Sequence, residues 1–301
     1  MALQRISFIG IGNMGRALGQ TLHKAGHPIT IWNRTRDREQ VNQLVELGAE
    51  FEHDAEAAIA RSEGVIIICV LDYDTIYKAL DNVSSFEGKT IVNLTNGSPQ
   101  QATAAEQWFK QRQAKRYFDG AVMATPDLVG TPHSLLVYSG ESEEVFTDVK
   151  SLLAPLGAAH YESPDSGSAS RLDLAALATM YGMFSGAFIG MALLKRQKNL
   201  SGNREETKVT PGVSKVMIPF VSAIVPYMEL LAKSMDEQTW NDSLGNPLGM
   251  QGTALQGILQ ACKEEGVDGS ALESLSKNLQ RAVKEQGGDG GIAIAGSYLL
   301  Q

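Results

Sequence analysis

The stretch RISFIGIGNMG, residues 5–15, decides how the first half of the chain is read. Its opening run, Ile6 to Ile9, is apolar and β-branched, which suits a buried strand. Gly10, Gly12 and Gly15 then stand in the spacing G-x-G-x-x-G, with Asn13 and Met14 between them, and a helical pattern runs from Met14 to Ala25. Gly10 lets the chain turn tightly, Gly12 removes the Cβ that would block a pyrophosphate, and Gly15 lets helix and strand approach. The helix start then offers free N–H groups and the positive end of its dipole to phosphates. A second strand, PITIWN, ends about 20 residues further on, as a dinucleotide-binding turn requires.

Working outward, GVIIICVL, KTIVNLT and SLLVYSG read as further strands. Helical patterns fall at Glu39–Leu47, Thr75–Leu80 and Gln100–Gln111. Strands alternating with helices predict a parallel, doubly wound α/β sheet of the Rossmann type. After Leu156 the β pattern stops. A long uncharged helix follows, then KRQKNLSGNREETKVTPG, which reads as a loop, then helices to the end. Two apolar stripes mark those helices: Met250, Ala254, Leu255, Ile258, Leu259 and Cys262, and Leu272, Leu275, Leu279 and Val283. The expected organisation is a Rossmann domain at 1–165, an interdomain helix at 166–195 and an all-α domain at 196–301.

The composition agrees with a globular protein and excludes several classes. The chain has 301 residues, 43% of them hydrophobic, which is too apolar for disorder. A net charge of −8 repels phosphate backbones and argues against nucleic acid as a partner. Cys69 and Cys262 make no disulfide framework, and neither they nor the five histidines have metal-ligand spacing, so no metal is expected. The N-terminus lacks a basic leader and reads as a strand, which makes the cytoplasm the expected compartment. Leu174 to Leu194 carries no charge and ends on Lys195 and Arg196, long enough to span a bilayer. Gly182, Ser185, Gly186 and Gly190 dilute it, and the reading adopted is a helix buried inside the protein, with no membrane partner.

The end of the second strand selects the cofactor. An NAD site wants Asp or Glu there for the ribose 2′-hydroxyl. This chain has Asn33, Arg34 and Thr35, with Arg38 close behind. Asn33 does not repel a 2′-phosphate, Arg34 can fork onto its oxygens, and Thr35 and Arg38 add donors, so the expected cofactor is NADPH. Arg36 reads as a solvated helix start. Ligands sit at the carboxyl ends of such strands, which brings in Cys69, Val70 and Leu71 on one strand, and Asn93 and Thr95 on the next. Cys69 reads as inert filling rather than a nucleophile.

Over nearly its whole length the sequence resembles the imine reductases and reductive aminases of the β-hydroxyacid dehydrogenase group. VIIICVLDYD, TIVNLTNGSPQQA, YFDGAVMATPDLVGTPHSLLVYSG, SGSASRLDLAALATMYGMFSG, MQGTALQGILQACKEEGVD and EQGGDGGIAIAGSYL carry the likeness. It implies NADPH-dependent reduction of a C=N bond, with an imine, or a ketone plus an amine, as small-molecule substrate. It also implies a homodimer that exchanges its long helix and C-terminal helices.

Hydroxyacid dehydrogenases of the same group carry a lysine at the start of the interdomain helix. Here no lysine occurs between Lys150 and Lys195. A strict count from Gly167 lands on Arg171, while the imine reductase pattern, followed because it continues in register into DLAALATMYG, lands on Asp173. Reducing a ketone develops negative charge on oxygen, which a lysine would stabilise; reducing an iminium consumes positive charge, which suits a carboxylate. Asp173 is therefore the candidate catalytic group, as an electrostatic partner or a proton donor. A helix-capping acid, or a carboxylate paired with Arg171, is the alternative. At about 100° per residue, Met180 and Phe184 share its face. Asn93, at its strand end, joins the catalytic set as a polar contact near the nicotinamide, and the resemblance adds Tyr181 beside the substrate. The resemblance also places Met250 and Gln251 at the substrate; Met123 and Ala124 are further substrate candidates, as are Met180 and Phe184, for which packing is the alternative. Gly182, Gly186 and Gly190 form a small-residue stripe suited to a close helix crossing. Two rivals remain open: an NADP-dependent hydroxyacid dehydrogenase, and a non-catalytic NADPH-binding protein.

Overall fold

A computed structural model describes residues 3–197, 207–243 and 245–300. The chain divides into two compact units, Met1–Ala178 and Thr179–Gln301. In the first unit, β1 (Ile6–Ile9), β2 (Ile29–Trp32), β3 (Glu50–Phe51), β4 (Val65–Ile68), β5 (Thr90–Asn93), β6 (Arg116–Met123), β7 (Leu135–Ser139) and β8 (Ala158–Tyr161) form one sheet. Its order is β3-β2-β1-β4-β5-β6-β7-β8. All neighbours run parallel except β6 and β7, which pair antiparallel from Asp119↔Ser139 to Met123↔Leu135. The expected parallel sheet thus holds for β1 to β6, and an antiparallel step carries it two strands further.

That extension corrects the expectation that β structure stops at Leu156, because β8 follows it. Its residues alternate between exposed and half-buried on the sheet edge, so it carries no apolar run to announce it. Helices α1 (Asn13–Lys24), α2 (Glu39–Glu46), α3 (Ala55–Arg61), α4 (Tyr73–Leu80), α5 (Pro99–Gln111) and α6 (Glu143–Leu153) cover the sheet. Ile6, Phe8, Leu18, Ile31 and Leu44 are among those filling one core cluster; Ile9, Ile66, Ile68, Ile91 and Phe109 belong to another.

The helix starts differ in a way that matters for the site. Asp54, Asp72, Ser98 and Ser142 each cap a helix, α3 to α6 in turn, by accepting from the backbone N–H three residues on. Such caps satisfy one of the donors that every helix start leaves free. Helices α1 and α2 begin at Gly12 and Arg38 with no side-chain cap.

Helix α7, Gly167–Arg196, runs unbroken for 30 residues; its first turns group with the sheet and the remainder with the second unit. Most of this helix beyond its first turns is not covered within one chain. Phe188 is 65% exposed, and Leu174, Met183 and Phe184 are exposed with it. A Cβ built on Gly182 or Gly186 meets nothing within 4 Å, whereas one on Gly190 approaches Met217. Apolar faces on an isolated helix find no cover in one chain.

The expected loop after α7 is also shorter than read. Residues 198–206 lie outside the described residues, but Thr210 to Asp236 is helical. Pro219 has no N–H to give the ladder, and the turn before it, Val213–Met217, widens to π geometry. This helix is long and apolar enough to cross a membrane by length and composition, as is α7. The remaining helices, Leu248–Glu265 and Glu273–Gln286, pack through Leu248, Leu255, Leu279 and Ala282 with Ile294. Cys262 is buried as the first stripe requires, but Met250 and Ile258 are exposed, and Leu275 of the second stripe is exposed too.

Candidate active site

The glycine turn matches its chemistry. Gly10 has φ +94°, and a Cβ there would collide with Val70 and the Cys69 carbonyl oxygen. A Cβ on Gly15 would strike the Gly10 carbonyl oxygen. At Gly12 a Cβ would meet nothing within 4 Å, so the space above it is open. With no acid in its first turn and no capping side chain, α1 presents an open, electropositive start there. This is a cradle for a diphosphate rather than a merely tight turn.

Side chains then hold the cradle. Asn33 Oδ1 accepts from the Ile11 N–H at 2.9 Å, and Asn33 Nδ2 donates to the Thr35 carbonyl at 2.7 Å. Its neutral amide thus ties the glycine turn to the end of β2. Gln40 Nε2 donates to Asn13 Oδ1 at 2.8 Å, linking the starts of α2 and α1; no sequence signal pointed to Gln40. Met14 packs against the core cluster around β1. The Arg36 guanidinium lies 4.7 Å above the Phe51 ring and donates to Asn42 at 2.7 Å. Arg34, Thr35 and Arg38 are exposed, and neither arginine has an ion-pair partner among the described residues. Two guanidiniums without an ion-pair partner among the described residues fit a 2′-phosphate.

At the next strand end Leu71 is 84% exposed, an apolar group open to a planar partner. Burial pushes the Cys69 thiol up to about 12, so it stays protonated and non-nucleophilic, as read. The Val70 N–H donates to Thr95 Oγ1 at 3.2 Å, and the Thr95 N–H donates to Asn93 Oδ1 at 3.2 Å.

The expectation that Asn93 touches the reacting atoms needs correction. Its side chain is 0% exposed, and its Nδ2 is spent on the Tyr117 hydroxyl at 3.1 Å and Asp119 Oδ1 at 3.2 Å. Asn93 serves from behind the site. Asp119 also accepts from the Tyr73 hydroxyl at 2.6 Å, the Tyr117 hydroxyl at 3.2 Å and, on its other oxygen, Ser170 Oγ at 2.6 Å. Burial pushes the Asp119 carboxyl up to about 6 despite these donors. Sequence reasoning missed this cluster, because its members lie 46 and 51 residues apart.

Helix α7 starts on Asp165 and Ser139. The Gly167 N–H donates to Asp165 Oδ1 at 3.0 Å, and the Ala169 N–H to Ser139 Oγ at 2.9 Å. Asp165 also receives Arg171 at 3.6 Å. The capping role and the arginine pairing weighed for Asp173 therefore both belong to Asp165. Asp173 sits in the second turn, 5% exposed, and no hydrogen bond or ion pair reaches its carboxyl among the described residues. Burial raises its pKa.

Met123 closes β6 and Ala124 follows it; both are part-buried at the carboxyl edge of the sheet. Tyr181, Met180 and Phe184 belong to the second unit. Tyr181 is 63% exposed, its ring edge-on to Phe184 at 6.3 Å. Met250 and Gln251 lie in the first turn of Leu248–Glu265, and Gln251 Nε2 donates to the Asn246 carbonyl at 2.7 Å. Among the described residues no three His, Cys, Asp or Glu side chains converge to hold a metal.

Residues 5–170 match the NAD-binding domain of 6-phosphogluconate dehydrogenase. Residues 165–297 match the C-terminal domain of NADPH-dependent reductive aminase-like proteins. An NADPH-dependent reductive aminase of Aspergillus oryzae is 36% identical over 289 residues, 96% of this chain and 94% of its own. The chain belongs to the reductive aminase and imine reductase family. A reductive aminase from Aspergillus terreus, solved in complex with NADPH and ethyl-5-oxohexanoate, has a TM-score of 0.89 at 36% identity. That match covers 99% of this chain and 100% of the other. An imine reductase from Myxococcus stipitatus, solved with NADP+, gives 0.85 at 30% identity, over 98% and 99%. In this reductive aminase family member, the open glycine cradle and the buried carboxyl of Asp173 occur in the same compact unit.

Proposed function

We propose that the protein is an NADPH-dependent oxidoreductase that reduces imines and iminium ions to amines, and that it also performs reductive amination of ketones or aldehydes with amines. The observation that carries this reading is Asp173: a buried carboxyl with no cation paired to it, in the same compact unit as the cofactor cradle.

The residues divide the work. Gly10, Gly12 and Gly15 with the start of α1 hold the diphosphate; Arg34, Thr35 and Arg38 hold the 2′-phosphate; Leu71 packs the adenosine end. When bound, NADPH supplies a hydride equivalent to the carbon of the C=N bond. Asp173, when ionised, attracts and orients the cationic nitrogen. Burial raises its pKa and so favours the protonated form, which can deliver a proton to an imine nitrogen and make the carbon electrophilic. Tyr181, eight residues along the same helix, adds a hydroxyl to hydrogen-bond the amine. Met123 and Ala124, at the carboxyl edge of the sheet in the same unit as Asp173, shape the substrate side of the site.

The working form is a homodimer with exchanged helices. The reading is supported by apolar side chains along α7 and Thr210–Asp236 that find no cover in one chain, and by Gly182 and Gly186, which leave open space for a second helix. The test is NADPH consumption with a cyclic imine, with a ketone plus an amine, and in reverse with a hydroxy acid and NADP+. Turnover with the first two and none with the third is expected. Oxidation of hydroxy acids as the main activity would overturn the assignment.

A further inference from the structure

Asp119 has no place in the chemistry just described, yet the fold goes to unusual lengths to keep it. Its carboxyl is fully buried, and burying a carboxylate costs several kcal/mol unless its lone pairs are met. Four donors from four different elements meet them: Tyr73 of α4, Asn93 of β5, Tyr117 of β6 and Ser170 of α7. The Tyr73 ring fits only because residue 97 is glycine, since a Cβ there would collide with it. A core that needed only to be filled would do so with an apolar side chain.

The four donors share one property: they tie the strand ends that bear the cofactor to the base of the helix that bears Asp173. The chain of bonds runs from the Val70 N–H to Thr95 Oγ1, from the Thr95 N–H to Asn93, and from Asn93 to Asp119. Ser170 donates into the same carboxyl from the helix side. Ser170 and Asp173 lie three residues apart, about 60° around the helix and about 4.5 Å along it. Fixing the Ser170 hydroxyl therefore fixes the rotation of that turn, and with it the direction of the Asp173 carboxyl. The whole array lies within one compact unit.

We propose that Asp119, acting through Ser170, is a positioning residue for the reaction: it sets the rotation of the first turns of α7 against β5 and β6 and so aims Asp173 at the substrate. The proposal rests on Asp173 meeting the substrate, as argued above. Misplacing a reacting group by about 1 Å costs up to about 100-fold in rate, so loss of the anchor should be read in turnover rather than in cofactor binding.

The experiment is a double-mutant cycle on full-length enzyme with a cyclic imine and saturating NADPH. Ser170→Ala should lower kcat about 10- to 100-fold while leaving the NADPH Kd within about twofold, and Asp119→Asn should act in the same direction. Ser170→Thr keeps the hydroxyl and should recover kcat to within a few fold. In an Asp173→Ala background, Ser170→Ala should add less than about twofold, because the residue it positions is gone. Full kcat in Ser170→Ala, or an effect that multiplies undiminished in the Asp173→Ala background, would overturn the positioning role. Full turnover in Asp173→Ala alone would instead sink the role of Asp173, and this inference with it.

Discussion

Ile6, Phe8, Ile66, Phe109 and Phe118 in the first unit, and Phe188, Phe220, Ile218 and Met228 in the second, are equally apolar, but only the first group is covered. The sheet unit closes on itself, with core clusters built around its strands. The helical unit has a small core around Leu248, Leu255 and Leu279, and leaves its longest helices bare. Contiguous exposed apolar surface marks a place where something else binds. The contrast teaches that one unit closes its apolar core within itself, whereas the other leaves apolar helix faces uncovered in a single chain.

The largest expected effect would break that contrast. Phe220→Glu combined with Ile224→Glu should turn a dimer into a 32.4 kDa monomer by analytical ultracentrifugation. It should lower imine turnover more than about 1,000-fold, since each unpaired buried charge costs several kcal/mol and the symmetry counts it twice. A wild-type protein that sediments as a monomer, or that partitions into vesicles, would mean another occupant covers those helices.

Next in size is Asp173→Ala, expected to lower kcat for a cyclic imine by about 100- to 10,000-fold, in the range of a lost general acid or charge partner. NADPH affinity, followed by nicotinamide fluorescence, should stay nearly unchanged. Gly12→Val sharpens the comparison from the cofactor side. Because a Cβ there meets no protein atom, the melting temperature should hardly move. Filling the space kept for the diphosphate should still weaken NADPH binding by about 10- to 100-fold, the usual cost of forcing atoms into occupied volume. A Gly12→Val enzyme that binds NADPH normally would show that the cradle is misassigned.

Much of the first unit was legible before any coordinates. The glycine turn, the neutral Asn33 followed by arginines, and five strands follow from local patterns whose meaning does not depend on distant neighbours. What escaped did so for a physical reason. β6 carries Asp119 and Gly120 in its middle, which interrupts the apolar run, and the aspartate makes sense only beside Tyr73 and Ser170. Thr210–Asp236 contains Pro211, Gly212, Pro219 and Pro226, breakers that local propensity counts against a helix and that the structure absorbs with a π turn. Asp173 was found by register alone; its burial, and the diversion of Arg171 to Asp165, needed the fold.

Smaller effects probe finer features. Arg34→Ala should lower the preference for NADPH over NADH by about 1–3 kcal/mol, measured as a ratio of kcat/KM values, the range for charged hydrogen bonds. The Asp119 carboxyl, facing Tyr73, Tyr117, Asn93 and Ser170, leaves a signature in stability against pH. Its folded pKa of about 6 lies above the unfolded value near 3.8, so the folded state holds the extra proton between those limits. The stability this gives is present at low pH and is lost as pH rises from about 4 to about 6. Chemical denaturation should therefore show wild type losing about 3 kcal/mol relative to Asp119→Asn across that window, and a flat difference would contradict it.

The unbroken run of α7 constrains how such an enzyme can change over generations. One residue inserted or deleted between Asp173 and Tyr181 would swing everything beyond it by about 100° and shift it about 1.5 Å, carrying the tyrosine to another side of the rod. Only edits of whole turns preserve the alignment, and even those slide the far end by more than 5 Å. Side-chain exchanges at fixed length are therefore the changes along this helix that leave the alignment of Asp173 and Tyr181 intact.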